Sequence, residues 1–203
     1  MYLSTIVVCV VNVSVRKEVQ VSIVADRSAT AIPVGTWAID PVWSSVGFEV
    51  KKIGLATVKG RALGFEGTIH GGAYPSIAGK VAVSSITTFD ETRDAHLQSP
   101  DFFDAERYPE LRFVSNAVVF KGDELIVQGE LGIKGVTKPV ELRGSFAGSG
   151  LDLMGQDRIA LELTGVIDRT EFGLDWNAPL PGGGFLLPNE VTLTASFAAT
   201  RAA

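Results

Sequence analysis

From Thr36 onward, apolar and polar residues alternate with a period of two, the pattern of strands that bury one face and wet the other. Val46, Phe48 and Val50 alternate with Gly47, Glu49 and Lys51, and Leu111 and Phe113 alternate with Arg112 and Val114. Leu125, Val127, Gly129, Leu131 and Ile133 share a face opposite Gln128 and Glu130. The same contrast sets Val140, Leu142, Gly144 and Phe146 against Glu141, Arg143 and Ser145. It sets Ile159, Leu161, Leu163, Gly165 and Ile167 against Glu162 and Thr164, and Val191, Leu193, Ala195 and Phe197 against Thr192 and Thr194.

One-sided burial belongs to antiparallel sheets, because parallel sheets are covered on both faces. Lys121-Gly122-Asp123 and Gly135-Val136-Thr137-Lys138 fall between consecutive strands as hairpin turns. About eight strands joined mainly by short turns predict an all-β fold, a sandwich or a closed antiparallel β-barrel. Residues 90–109 break the rhythm. Asp90 can cap one short helix, and Ser99 followed by Pro100 and Asp101 reads as the start of a second. Pro181-Gly182-Gly183-Gly184 reads as a flexible loop.

Composition narrows the function classes. A chain of 203 residues with 46% hydrophobic and 20% charged residues can fill one domain. Its net charge of −5, with dispersed basic residues, excludes the positive stripe that nucleic acid requires. One cysteine, Cys9, allows no disulfide within the chain, and with only His70 and His96 beside it a metal site of the usual His/Cys type lacks ligands. No metal and no cofactor is therefore expected.

An apolar stretch from Ile6 to Val13 and the small residues Ala29-Thr30-Ala31 resemble parts of a signal peptide. No Lys or Arg precedes the stretch, however, and Arg16, Lys17, Glu18, Asp26 and Arg27 intervene before the small residues. The run is too short to span a bilayer. Residues 1–34 are read as a leader, either a disordered segment or an extra strand, and residues 35–203 as the barrel domain. The balance favours a cytoplasmic chain over an exported, periplasmic one.

Several apolar faces carry a small residue in mid-strand: Ser115, Gly129, Gly144, Gly165 and Ala195. At one level of a barrel such residues would leave a void for a ligand, although a strand glycine can instead relieve curvature or mark a bulge. Phe48, Val50, Phe113, Leu131, Leu163 and Phe197 are expected to line a dry tunnel, with Phe103 and Phe172 beside it. Arg93, Asp94 and His96, on the crossing segment, form the most prominent polar cluster and the candidate head-group contact. Pairing of Arg93 with a neighbouring aspartate would give it a purely structural role instead. No catalytic residue is assigned: the nucleophile elbow Gly-x-Ser-x-Gly is absent, and Gly79-Lys80 is followed by Val81 where a phosphate loop needs Ser or Thr.

An ordered set of motifs carries a family resemblance. Thr36-Trp37-Ala38-Ile39-Asp40-Pro41 is followed by Ser45-Val46-Gly47-Phe48, Arg93-Asp94-Ala95-His96-Leu97 and Pro100-Asp101-Phe102-Phe103-Asp104. Tyr108-Pro109, Gly135-Val136-Thr137-Lys138-Pro139-Val140 and Arg169-Thr170-Glu171-Phe172-Gly173 complete it. The set resembles the YceI-like family from about Gly35 to the C-terminus, with departures at Trp43 and at Gly132-Ile133-Lys134. The resemblance implies a lipocalin-like antiparallel β-barrel with one or two short helices. It also implies a long-chain isoprenoid partner, such as a polyprenyl phosphate or a long-tailed quinone, carried without catalysis. A homodimer is left open. The competing reading is a small-molecule isomerase or hydrolase with His96 as base and Arg93 as anion holder.

Overall fold

The structure is a computed structural model and describes residues 31–202. The stretch from Ile6 to Val13, Cys9 and most of the expected leader lie outside the described residues. Residues 31–34, assigned above to the leader, belong to the folded domain: Ile32 is fully buried, and the Pro33 carbonyl accepts a hydrogen bond from the Trp37 indole at 3.0 Å.

Eleven strands form one antiparallel sheet. They are β1 (Gly35–Ile39), β2 (Ser45–Lys52), β3 (Ala56–Ala62), β4 (Phe65–Gly71), β5 (Ser76–Ala82), β6 (Ile86–Thr87), β7 (Glu110–Lys121), β8 (Glu124–Ile133), β9 (Val136–Leu151), β10 (Asp157–Asp168) and β11 (Glu190–Arg201). The single α-helix among the described residues, α1 (Glu91–Gln98), follows β6. The order β1-β4-β5-β7-β8-β9-β10-β11 closes on itself because β1 also pairs with β11, Ile39 opposite Ala199. The fold is an eight-stranded antiparallel barrel.

The other three strands continue staves of that barrel. β2 runs on from β1 along the same edge of β11, with Ser45 opposite Ser196 and Glu49 opposite Thr192. β3 pairs with β2, and β6 with β3. Three neighbouring staves are therefore interrupted at one level, at residues 40–44, 63–64 and 83–85. Hydroxyls seal this crease. The Ser44 hydroxyl donates to the Ala198 carbonyl at 3.0 Å and accepts from its amide at 2.9 Å, while the Ser85 hydroxyl donates to the Ala82 and Gly64 carbonyls. Such breaks let a sheet bend without leaving backbone groups unpaired.

The crease separates two apolar clusters. Below it, where β7 meets β8 and β9 meets β10, Trp37, Ile69, Leu125, Val127, Ile159 and Leu161 pack with almost no solvent contact. Above it, Val83, Ile86, Phe102, Ile133, Phe172 and Val191 form a second cluster around the opposite end. The lower end is thus plugged by side chains.

Local structure departs from the sequence reading at three points. Asp90 caps α1, its carboxylate accepting the Arg93 amide at 3.0 Å, but Ser99 caps no second helix. Its hydroxyl donates back to the His96 carbonyl, and the Ser99 carbonyl accepts from Phe102 and Asp104 amides in a tight turn. The β8–β9 turn consists of Lys134 and Gly135 alone, both left-handed (φ 49° and 77°), so Val136, Thr137 and Lys138 are already strand. The glycine-rich loop forms a small hairpin, with Pro179 bridged to Phe185.

Replacing Trp37 by Ala empties the lower plug without touching the upper half. Unfolding in urea should show a loss of about 3–5 kcal/mol. A loss within about 0.5 kcal/mol would place the stabilising core elsewhere.

Candidate functional site

Above the plug the barrel is hollow. A cavity of about 770 Å³ extends from Ile39, Ile77 and Leu163 at the crease to Lys52, Trp176 and Leu186 at the open end. That volume lies within the range of small-molecule sites, roughly 300–1,000 Å³. Its wall is aliphatic and aromatic: Phe48 and Val50 from β2, Phe113 from β7, Leu131 from β8, and Phe197 with Ala195 from β11. Phe103 joins them from the segment after α1. Phe172 does not. At the end of a short 3₁₀ helix (Arg169–Phe172), it is buried in the upper cluster with Val83 and Ile133 and does not reach the cavity lining.

Gly129, Gly144 and Gly165, the glycines expected to make the void, do not line it, and their geometry corrects the simple view that missing side chains create it. A Cβ on Gly144 would stand 1.8 Å from the Glu162 carbonyl oxygen, so this glycine permits a close backbone approach between β9 and β10. A Cβ on Gly129 would meet both the Val114 carbonyl and the Phe113 ring, and one on Gly165 would meet the Leu142 side chain and the Glu141 carbonyl. Ser115 spends its hydroxyl on a bulge, accepting the Ile77 amide at 2.7 Å. The sequence reading missed Gly60, whose added Cβ would lie 2.3 Å from the Phe48 ring and touch no backbone within 3 Å. Glycine here lets a cross-strand aromatic lie flat against the sheet. The ring covers the backbone and leaves the axis open.

Charged side chains enter the lining at two places: Glu66, Lys80 and Arg112 on β4, β5 and β7, and a polar group at one side of the open end, on α1 and the residues before it. Arg93 lines the cavity but is anchored: its Nε donates to the Thr88 hydroxyl at 2.6 Å and its Nη2 to the Thr88 carbonyl at 2.9 Å. Its Nη1 lies 3.8 Å from the Asp90 carboxylate. The expected aspartate pairing is thus secondary to the grip on Thr88. His96 also lines the cavity, its ring set edgewise against Phe102 and Trp176 at 5.0 and 4.8 Å between centroids. Its Nε2 shares a hydrogen bond with Asp101 at 3.0 Å.

Asp94 stands apart from the cavity, contrary to its placement with Arg93 and His96 as a head-group contact. Its carboxylate accepts the Thr87 hydroxyl at 2.6 Å and both the amide and hydroxyl of Thr88, so its hydrogen-bonding capacity is consumed in tying α1 to β6. Burial tends to raise its pKa. The two hydroxyls, the Thr88 amide and the Arg93 charge outweigh that effect and hold it below the ordinary carboxylate value.

Arg169, unassigned by the sequence reading beyond its place in a motif, is the most deeply buried cation of the site. Its guanidinium donates to the carbonyls of Pro188 at 2.9 Å, Trp176 at 3.0 Å and Leu174, clamping both ends of the loop that rims the cavity. Burial pushes its pKa below the usual arginine value, against the opposing charges of Asp168 and Asp175. No three His, Cys, Asp or Glu side chains come together as a metal site among the described residues.

Comparison with known proteins agrees with this architecture. Residues 37–199 match the model of the YceI-like domain. The protein YceI of Escherichia coli O157:H7 is 36% identical over 133 residues, spanning 64% of this chain and 70% of the relative. Among solved structures, BcnA of Burkholderia cenocepacia superposes with a TM-score of 0.69 at 22% identity, covering 80% of this chain and 99% of that one. A domain from Saccharophagus degradans, described as polyisoprenoid binding, superposes with a TM-score of 0.63 at 13% identity, over 84% of this chain and all of that one.

Two expectations follow from the site. Gly60→Ala should drive the Phe48 ring into the cavity and reduce its capacity with little loss of thermal stability, whereas Gly144→Ala should lower the melting temperature first. Equal melting points for both variants would contradict the assigned collisions. The Asp94 carboxylate stabilises the fold above its unfolded pKa, and that contribution is lost as pH falls through its lower folded value. Urea midpoints of Asp94→Asn should therefore fall short of the parent at neutral pH and converge with it in acid. A gap that persists in acid would dissociate the effect from ionisation.

Proposed function

The chain belongs to the YceI-like family, and from that premise we propose that it is a non-catalytic carrier of a long-chain isoprenoid lipid. The observation that carries this reading is the lining of the cavity: a mainly aliphatic and aromatic wall, with Arg93 and His96 on the α1 side of the open end and Glu66, Lys80 and Arg112 as charged side chains on the β4, β5 and β7 wall. An amphipathic ligand suits such a lining. Its chain would lie along Phe113, Leu131 and Phe197, with its head beside Arg93 and His96.

Magnitudes support it. Each buried CH₂ contributes about 0.8 kcal/mol, so an isoprene unit of about five carbons contributes a few kcal/mol before ordering costs. The wall can therefore supply affinity while the polar end selects orientation and head-group class. The likeness to the Saccharophagus degradans domain points to the same class of ligand.

The isomerase or hydrolase reading requires His96 and a second proton-transferring group to face one point in the void. Instead, His96 Nε2 is engaged by Asp101, the Asp94 carboxylate is turned to Thr87 and Thr88, and Arg93 is gripped by Thr88. These contacts favour binding over catalysis.

Native mass spectrometry of the purified protein, before and after organic extraction, should show a lipid adduct that extraction removes. A protein that neither retains nor takes up a polyprenyl chain is not such a carrier. Arg93→Ala should weaken a polyprenyl phosphate by about 1–3 kcal/mol, the range for a lost charged hydrogen bond, and leave the matching polyprenyl alcohol nearly unchanged. Equal losses for the two ligands would assign Arg93 to holding α1 in place.

A further inference from the structure

A ligand that is insoluble in water must enter the barrel from somewhere, and the open rim is chemically unlike the rest of the surface. The β2–β3 connection is three residues, Ile53, Gly54 and Leu55, with a turn closed by the Leu55 amide on the Lys52 carbonyl at 3.1 Å. Ile53 and Gly54 are both left-handed, with φ of 56° and 67°. Asn, Asp or Gly normally occupies such a turn, and a β-branched residue is strained there. This turn nevertheless presents Ile53 half exposed and Leu55 90% exposed. The glycine-rich hairpin lies against it, with the Ile53 amide donating to the Leu186 carbonyl at 3.0 Å, and adds Phe185 at 66% exposure. Lys52, Leu186 and Leu187 of these two hairpins also line the cavity, so the apolar tips continue into its wall.

Charge accompanies the apolar tips. Lys51 and Lys52 are exposed directly behind them, and among the described residues neither meets a carboxylate, whereas Lys59 pairs with Glu49 at 2.6 Å. Among those residues both therefore stand outside any ion pair, on a chain of net charge −5. Apolar tips ahead of lysines suit the boundary between acyl chains and anionic head groups, the lysine stems lying along apolar surface while their ammonium groups stay in the polar layer. From these observations we infer that the paired tips of the β2–β3 hairpin and the glycine-rich hairpin dock the barrel mouth onto an anionic lipid bilayer surface.

The closed end supplies an internal control. Leu153 and Met154 are at least as exposed at the β9–β10 turn, but Asp152 and Asp157 flank them, the nearby arginines Arg158 and Arg201 are paired with these aspartates, and the apolar plug separates them from the cavity. Exposure alone would make both ends equivalent; docking at the mouth makes them different.

Flotation of the intact, ligand-extracted protein with phosphatidylcholine vesicles, with and without phosphatidylglycerol, tests the inference independently of the isoprenoid reading, because it needs no cargo. Binding should be stronger with phosphatidylglycerol. Leu55→Ser with Phe185→Ser should reduce it at least about tenfold on those vesicles. Lys51→Gln and Lys52→Gln should each remove about fivefold of the anionic preference. Leu153→Ser with Met154→Ser should leave binding unchanged, and circular dichroism with melting curves should show every variant folded. Parent protein that does not float, or equal loss from the closed-end pair, would overturn the inference. So would a dimer in sedimentation velocity that Leu55→Ser with Phe185→Ser disperses, since the tips would then be covered by a second copy.

Discussion

Closure through β11 is the constraint on which the rest of the molecule depends. This one strand pairs along its outer edge with two others, β1 toward its C-terminal end and β2 toward its N-terminal end. The chain must break between them, and the break is repeated in the next two staves, β3–β4 and β5–β6. A barrel creased on one side has two different halves. Bulky side chains fill the lower half completely, whereas the walls of the upper half stand far enough apart to leave about 770 Å³.

What keeps that space open is the posture of the side chains. Phe48 over Gly60 and Phe113 over Gly129 lie along the sheet instead of across it, each occupying the volume a Cβ on its glycine would need. A packed core would use the same aromatic rings to reach the axis. Gly60 therefore acts at one remove, through the neighbour it accommodates, whereas Gly144 brings two backbones together and Gly129 and Gly165 each meet both a side chain and a backbone carbonyl. The open end is held by polar fixings of a different kind: Asp94 ties α1 to β6, Arg93 grips Thr88, and Arg169 gathers three carbonyls of the rim loop. Asp94 and Arg169 are thereby satisfied by the protein itself, whereas Arg93 keeps its Nη1 outside any hydrogen bond among the described residues.

The division of labour at the rim has a functional corollary. Affinity for an apolar chain grows with buried length, so a carrier releases cargo slowly into water and benefits from a surface that accepts it. A mouth whose tips match an interface would bring the two apolar phases together, with the helix side of the mouth, bearing Arg93 and His96, handling the head group.

The sequence by itself determined the strands of the second half. Between Glu110 and Arg201 long, regular alternation specifies each inward face, because a slip of one residue would turn every Leu and Phe outward. The motifs added the family, and the inward faces named most of the wall. The first half was less legible: β3, β4 and β5 are short, carry Gly60, Gly67 and Gly79, and stop at the crease, so their alternation never runs long enough to stand out. Only the tertiary structure decided that β2 continues β1, that Asp94 turns away from the void while Arg93 and His96 face it, and that Phe172 packs outside the cavity lining. Alternation records which face a residue occupies. Closure, register between distant strands and the partner each polar group finds are set by contacts between residues far apart in the chain, and no local pattern encodes them.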